Sequence, residues 1–183
     1  MSAPVSIPLY RQLLAAQFDT LPPKVRALHE RSGLRRYHGK VEVERGGGWA
    51  SRLCAWATRL PRAGKGALRV EIDADEGGER WARVIAGKPM RSRLWARDAL
   101  LREQLGLVRF AFRLEVEDLP GAGRAVIWRV AQVRALGLPL PARWFARVSA
   151  REYEREHRYR FDVTASLPRI GLLVHYRGWL DVD

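Results

Sequence analysis

Glu152, Asp162, His175 and Tyr176 carry the carboxylate, imidazole and phenol groups that general acid-base chemistry uses, and all lie in the C-terminal third of the 183-residue chain. To serve as a catalytic acid and base, two of them must come within hydrogen-bond reach in a cleft. Recognition of a small molecule needs something else, a few polar groups set into an apolar lining. Arg83 and Glu152 are the candidates for those groups. Each falls on the apolar side of an alternating stretch, Arg83 with Trp81 and Ile85, Glu152 with Val148 and Ala150. A charged group placed there is costly unless it is paired or hydrogen-bonded. Trp81, Trp128, Tyr159, Phe161 and Tyr176, with Met90 and Phe112, supply the surface that a bound apolar or amphipathic molecule would touch. The same aromatics also suit a filled core. His175 and Arg177 alternate with Tyr176, and either face of that stretch can be the inner one, so both join the candidate binding residues.

Other chemistries lack their residues. His29, His38, His157 and His175 show no paired helical spacing, and Cys54 is the only cysteine, so neither a metal site nor a disulfide framework is expected. No nucleophile elbow, phosphate loop or dinucleotide fingerprint occurs, and no cofactor is expected. The net charge of +13 raises nucleic acid as a partner. However, the arginines are scattered along every segment among 20 acids, and the densest group, Arg143 to Arg160, is threaded with Glu152, Glu154 and Glu156. Interleaved opposite charges weaken the field that phosphate binding needs, so a solvated, ion-paired face is expected and nucleic acid is not. With no secretory N-terminus, no apolar run of membrane-spanning length and one isolated cysteine, the chain is expected to be soluble and cytoplasmic.

The elements that must position these residues are mostly strands. Ile7, Tyr10, Leu13, Leu14 and Phe18 follow helical steps, Thr20-Leu21-Pro22-Pro23 breaks them, and a second helix is expected over 23–30. From residue 34 onward, period-2 alternation predicts an antiparallel sheet of about nine strands, curled or closed into a barrel, within one domain spanning 1–183. Within that sheet 98–105 is read as a helix and Gly137-Leu138-Pro139-Leu140-Pro141 as a rigid connector. Turns at Gly77-Gly78 and Arg155-Glu156 would set Arg83 opposite Ile72 and Glu152 opposite Tyr159. Trp49, Leu53, Trp56 and Leu60 form an apolar stripe on a helix after the first strand. It is expected to pack on the sheet; the alternatives are a lid or partner contact made by Trp49, Leu53 and Trp56, or a membrane-surface contact.

Glu79-Arg80-Trp81, the 137–141 connector, Tyr159-Arg160-Phe161-Asp162-Val163 and the run from Gly171 to Leu180 together resemble a bacterial family, domain of unknown function 4166, over nearly the whole chain from about Leu21. The resemblance implies no assigned activity. Similar domains also occur fused behind nicotinamide-dependent oxidoreductase or epimerase-like domains, which implies a ligand-binding or accessory role beside redox metabolism. This chain contains no dinucleotide-binding part, so such an enzyme would be a separate partner. A non-catalytic binding module is the leading expectation, an accessory interaction domain the second and an enzyme the third.

Overall fold

The computed structural model describes residues 7–57, 60–85 and 87–183. The alternating stretches become strands β1 (Gly33–Arg45), β2 (Gly64–Asp75), β3 (Gly78–Ile85), β4 (Lys88–Arg97), β5 (Leu100–Leu105), β6 (Val108–Leu119), β7 (Gly123–Ala135), β8 (Leu138–Leu140), β9 (Arg147–Arg155), β10 (Arg158–Leu167) and β11 (Gly171–Asp181). Each strand pairs antiparallel with its neighbours, β7 pairs with both β6 and β9, and β1 closes the circle on β11. The result is a closed barrel of ten strands, with β8 as a short extra strand on β7. Closure pairs the edges that an open sheet of this length would expose.

Because the barrel is a meander, its turns alternate between two ends. At one end lie the turns at 76–77, 98–99, 120–122 and 156–157, together with α1 (Leu9–Leu14), a 3-10 turn (Ala15–Thr20) and α2 (Pro23–Glu30). Tyr10, Phe18 and Val25 from these helices are fully buried, so they plug that end. Pro23 at the first position of α2 needs no amide partner. The Lys24 amide donates to Glu154 Oε2 at 2.8 Å, a carboxylate at the positive end of the helix, and Lys24 Nζ donates to the Val182 carbonyl at 2.6 Å. At the other end, the loop end, lie the segments at 87, 106–107, 136–146 and 168–170, and α3 (Trp49–Ala57) between β1 and β2. No helix among the described residues is long and apolar enough to cross a membrane.

Several expectations need correction. The stretch over 98–105 is β5, preceded by a tight turn in which Asp98 and Ala99 both take φ 55°. Leu101 and Leu105, four apart, fit one face of a helix or one face of a strand, and pairing with β4 and β6 decides for the strand. The 137–141 connector contains β8, which raises the strand count to eleven. The first helix is shorter than its apolar steps suggest, since Ala15 at φ 48° ends it. The β2–β3 turn is Glu76-Gly77 and the β9–β10 turn is Glu156-His157, each displaced by one residue from the expected pair. Partners therefore shift by two positions, Arg83 facing Val70 and Glu152 facing Phe161 across the ladder, while every side chain keeps its face. The Trp49 helix is not a core helix: Trp49 is 76% and Trp56 72% exposed, and its buried contact is Ser51, whose Oγ donates to the Leu172 carbonyl at 3.0 Å.

Gly178 on β11 marks a place where the barrel wall admits no side chain. A Cβ there would stand 2.2 Å from the Lys40 carbonyl oxygen and 2.7 Å from Phe161 Cζ. The backbone oxygen cannot move without breaking the β1–β11 ladder. Gly178→Ala is expected to lower stability by about 2–3 kcal/mol in urea denaturation, and a change below measurement error would show that the two strands do not pack this closely.

Candidate functional site

The inner face of the barrel is apolar towards the loop end and carries its polar groups from the middle of the barrel to the plug. From β3 come Glu79, Trp81 and Arg83, from β4 Ser92, from β5 Glu103, from β9 Glu152, and from β10 and β11 Tyr159 and Tyr176. Strand parity puts them inside, since they alternate along their strands with outward-facing residues and share a face with buried apolar side chains such as Ile85, Met90, Leu94, Leu101 and Val174. Of these, Trp81, Arg83, Glu103, Glu152, Tyr159 and Tyr176 border a cavity of about 90 Å³ whose other walls include Leu68, Val70, Ile85, Phe112, Trp128 and Phe161.

Glu152 is the hub of the plug. Tyr10 Oη donates to its Oε1 at 3.1 Å, and His29 Nε2 lies 2.7 Å from its Oε2. The Tyr10 and His29 rings stack with centroids 3.5 Å apart, and His29 continues onto Trp81 at 6.0 Å. This carboxylate thereby joins α1 and α2 to β9 through charge-assisted contacts in a water-poor site. Burial, followed by the charge of Glu152, pushes the Tyr10 and Tyr159 phenols well above their ordinary range, so both remain hydrogen-bond donors at neutral pH.

Arg83 is held differently. Its Nη1 donates to Ser92 Oγ at 2.9 Å and lies 3.8 Å from Glu103 Oε1, while its guanidinium stacks 4.4 Å over the Trp81 ring. Burial raises the Tyr176 phenol to about 12; nearby Arg83 opposes this, and Glu103 and Glu152 add to it. Tyr176 and Phe161 retain accessible surface although they belong to the inner face, because that surface borders the cavity. Trp128 lines the cavity with its ring, while its Nε1, like His29 Nδ1, Tyr37 Oη and Arg102 Nε, is buried without a hydrogen-bond partner.

Of the residues singled out from sequence, Trp81, Arg83, Trp128, Glu152, Tyr159, Phe161 and Tyr176 are brought together around this cavity. His175 and Arg177 are not. They stand on the outer face, where His175 Nε2 lies 3.0 Å from Asp162 Oδ1 and Arg177 pairs with Glu42 and Glu44. The His175–Asp162 pair is within proton-transfer distance but sits on the barrel's outside wall. Trp49, Leu53 and Trp56 lie on α3, at the loop end. Tyr10, His29, Glu79, Ser92 and Glu103 were missed. Glu79 shares its face with Trp81, and His29 follows the Val25 and Leu28 stripe of α2, so both carried a signal; Glu103 was hidden by the helical reading of β5.

Residues 21–180 match the family model described as domain of unknown function (DUF4166). The chain belongs to this family. A search of curated proteins finds no match. The DUF4166 match takes in α2 and the complete barrel apart from the last residue of β11, but begins after α1, so Tyr10 is the one partner of Glu152 that lies outside it.

Glu79 gives this DUF4166 chain a testable pH signature. Its carboxyl is buried and accepts from Trp81 Nε1 at 2.7 Å. Burial raises its pKa, His29 and the Trp81 bond oppose the rise, Glu152 adds to it and Arg83 opposes it. With the folded pKa above the unfolded value, the folded state binds more protons in the window between them, so this group's contribution to stability falls as pH rises through that window. Glu79→Gln keeps an acceptor for Trp81 and removes the titration. Its stability relative to the parent is expected to increase from the ordinary carboxylate range towards neutral pH in paired thermal melts; a pH-independent difference would contradict the assignment.

Proposed function

We propose that the barrel is a non-catalytic binding module whose cavity receives a small molecule with an apolar body and an uncharged oxygen acceptor. The mixed lining carries this reading: Arg83 and the Tyr176 phenol are set into a wall of Leu68, Val70, Phe112, Trp128 and Phe161, and Tyr176 keeps accessible surface there. Tyr176, kept protonated by burial, and Arg83 supply the donors to which a ligand oxygen would bond. The lining favours a neutral group over an anion, since Glu103 and Glu152 border the cavity against the single guanidinium of Arg83. A cavity of about 90 Å³ is smaller than the roughly 150 Å³ that holds a benzene ring. With its walls at rest it seats a carbonyl and a short alkyl segment, and a longer ligand turns Phe161 and Tyr176 aside.

Methyl pentyl ketone, heptane and heptanoate separate the contributions of oxygen, apolar body and charge. Thermal melts are expected to show stabilisation by the ketone, less by the alkane and least by the carboxylate. A ligand at about 100 times its Kd adds ~2.7 kcal/mol of stability. Tyr176→Phe should remove most of the ketone's advantage over the alkane. Equal or absent stabilisation by all three would overturn the reading.

A further inference from the structure

The charge of this chain is sorted along the barrel axis. Between Arg45 and Val70, between Gly87 and Arg97, between Gln104 and Leu114, between Gln132 and Arg151 and between Val163 and Val174 there is no Asp or Glu, while each of these five stretches contains arginine or lysine. Because turns alternate between the ends of a meander, each of these stretches runs through a connection at the loop end, and 87–97 continues along β4 to the plug end, where Arg97 pairs with Asp98. The carboxylates gather instead at the plug end and on the outer wall, where they hold arginines in pairs such as Arg80 with Asp73 and Asp75, Arg129 with Glu115 and Glu117, and Arg158 with Asp181. Among the described residues, Arg52, Arg62, Lys88, Arg143 and Arg169 at the loop end form no ion pair. The excess positive charge is therefore concentrated towards the loop end. This revises the ion-paired face expected over Arg143 to Arg160, since Arg143 and Arg147 stand at the loop end and Arg158 and Arg160 at the plug end, where the latter two pair with Asp181 and Glu156.

Most of the large apolar side chains exposed on the molecule are at that same end. Trp49, Leu53 and Trp56 line the outer face of α3, and Leu107, Leu136 and Trp144 project from separate loops. The loops are joined into one surface. The Leu136 amide donates to the Leu107 carbonyl at 3.0 Å, Leu107 shares a groove with Trp56, Arg52, Arg62 and Lys88, and Trp144 shares another with Arg143, Arg169 and Ile170. Ser51 pins α3 to the start of β11, beside the β10–β11 turn.

We propose that the loop end is a docking surface for a bilayer containing anionic lipid. Tryptophans favour the headgroup level, leucines the acyl boundary, and a cationic rim without carboxylates matches a negative lipid surface. A nucleic-acid surface would carry polar donors where this one carries leucines. The proposal rests on the outside of the barrel and stands whatever the cavity holds.

Flotation with unloaded vesicles tests it, comparing phosphatidylcholine alone with phosphatidylcholine containing about 30 mol% phosphatidylglycerol. The protein is expected to float with the anionic vesicles, to shift its tryptophan emission to the blue, and to release as salt is raised. Trp49→Ala/Trp56→Ala and, separately, Arg52→Glu/Arg143→Glu alter only exposed side chains, and each should weaken binding by about ten-fold or more at an unchanged urea midpoint. No flotation, or flotation that neither double variant alters, would overturn the proposal. So would binding to a DNA duplex without binding to vesicles, or a dimer abolished by Trp49→Ala/Trp56→Ala in a protein that does not float.

Discussion

Glu152→Ala should lower the unfolding free energy by about 3–5 kcal/mol, since it leaves two buried hydrogen-bonding groups without their acceptor at about 1–3 kcal/mol each. The loss exceeds that of an ordinary hydrogen bond because the replacement strands both Tyr10 Oη and His29 Nε2 in a site that water does not reach. Glu152→Gln keeps an acceptor for Tyr10 and should cost about 1–2 kcal/mol. The two variants differ in where the damage appears. Without the carboxylate α1 and α2 lose their shared tie to β9, so amide exchange should accelerate over 9–30 before the barrel strands respond. Equilibrium denaturation and hydrogen exchange measure both effects. A Glu152→Ala protein within about 1 kcal/mol of the parent would mean that packing of Tyr10, Phe18 and Val25 alone holds the plug.

Ala150→Leu should leave the barrel as stable as the parent or more so, while weakening capture of methyl pentyl ketone by about 100-fold or more. Ala150 lines the cavity on β9 between Val148 and Glu152, and three added carbons occupy much of a space of about 90 Å³. Filling an apolar void recovers contacts that its walls lack, roughly 24 cal/mol per Å³ where the fit is good. Parallel melts with and without the ketone read the two quantities separately. A stable variant that still responds to the ketone would place the binding site elsewhere, and a destabilised one would show that the space is already needed by Phe161 or Tyr176.

How far the fold was legible depended on which signals are local. Strand parity was, because a turn displaced by one residue moves partners by two and leaves each face unchanged; Arg83 and Glu152 were placed on the inner face by parity although neither ladder partner was right. The turns at 98–99 and 156–157 were not. Asp98-Ala99 and Glu156-His157 carry positive φ on residues other than glycine, so the usual Asn-Gly or Asp-Gly cue is missing. Amphipathic spacing identified α3 but says nothing of what covers its apolar face, and here nothing among the described residues does. The union of Tyr10, His29 and Glu152 spans most of the chain, and only barrel closure with helices across one end creates it.

The cavity is expected to hold a small molecule when the protein is purified from cells. Native mass spectrometry of the purified chain, compared with the same sample denatured, tests it most directly. The expected result is one additional uncharged, oxygen-containing apolar molecule per chain, lost on denaturation and absent from Ala150→Leu. A native mass equal to that of the bare chain in preparations from several hosts, together with no stabilisation by the ketone, would contradict it.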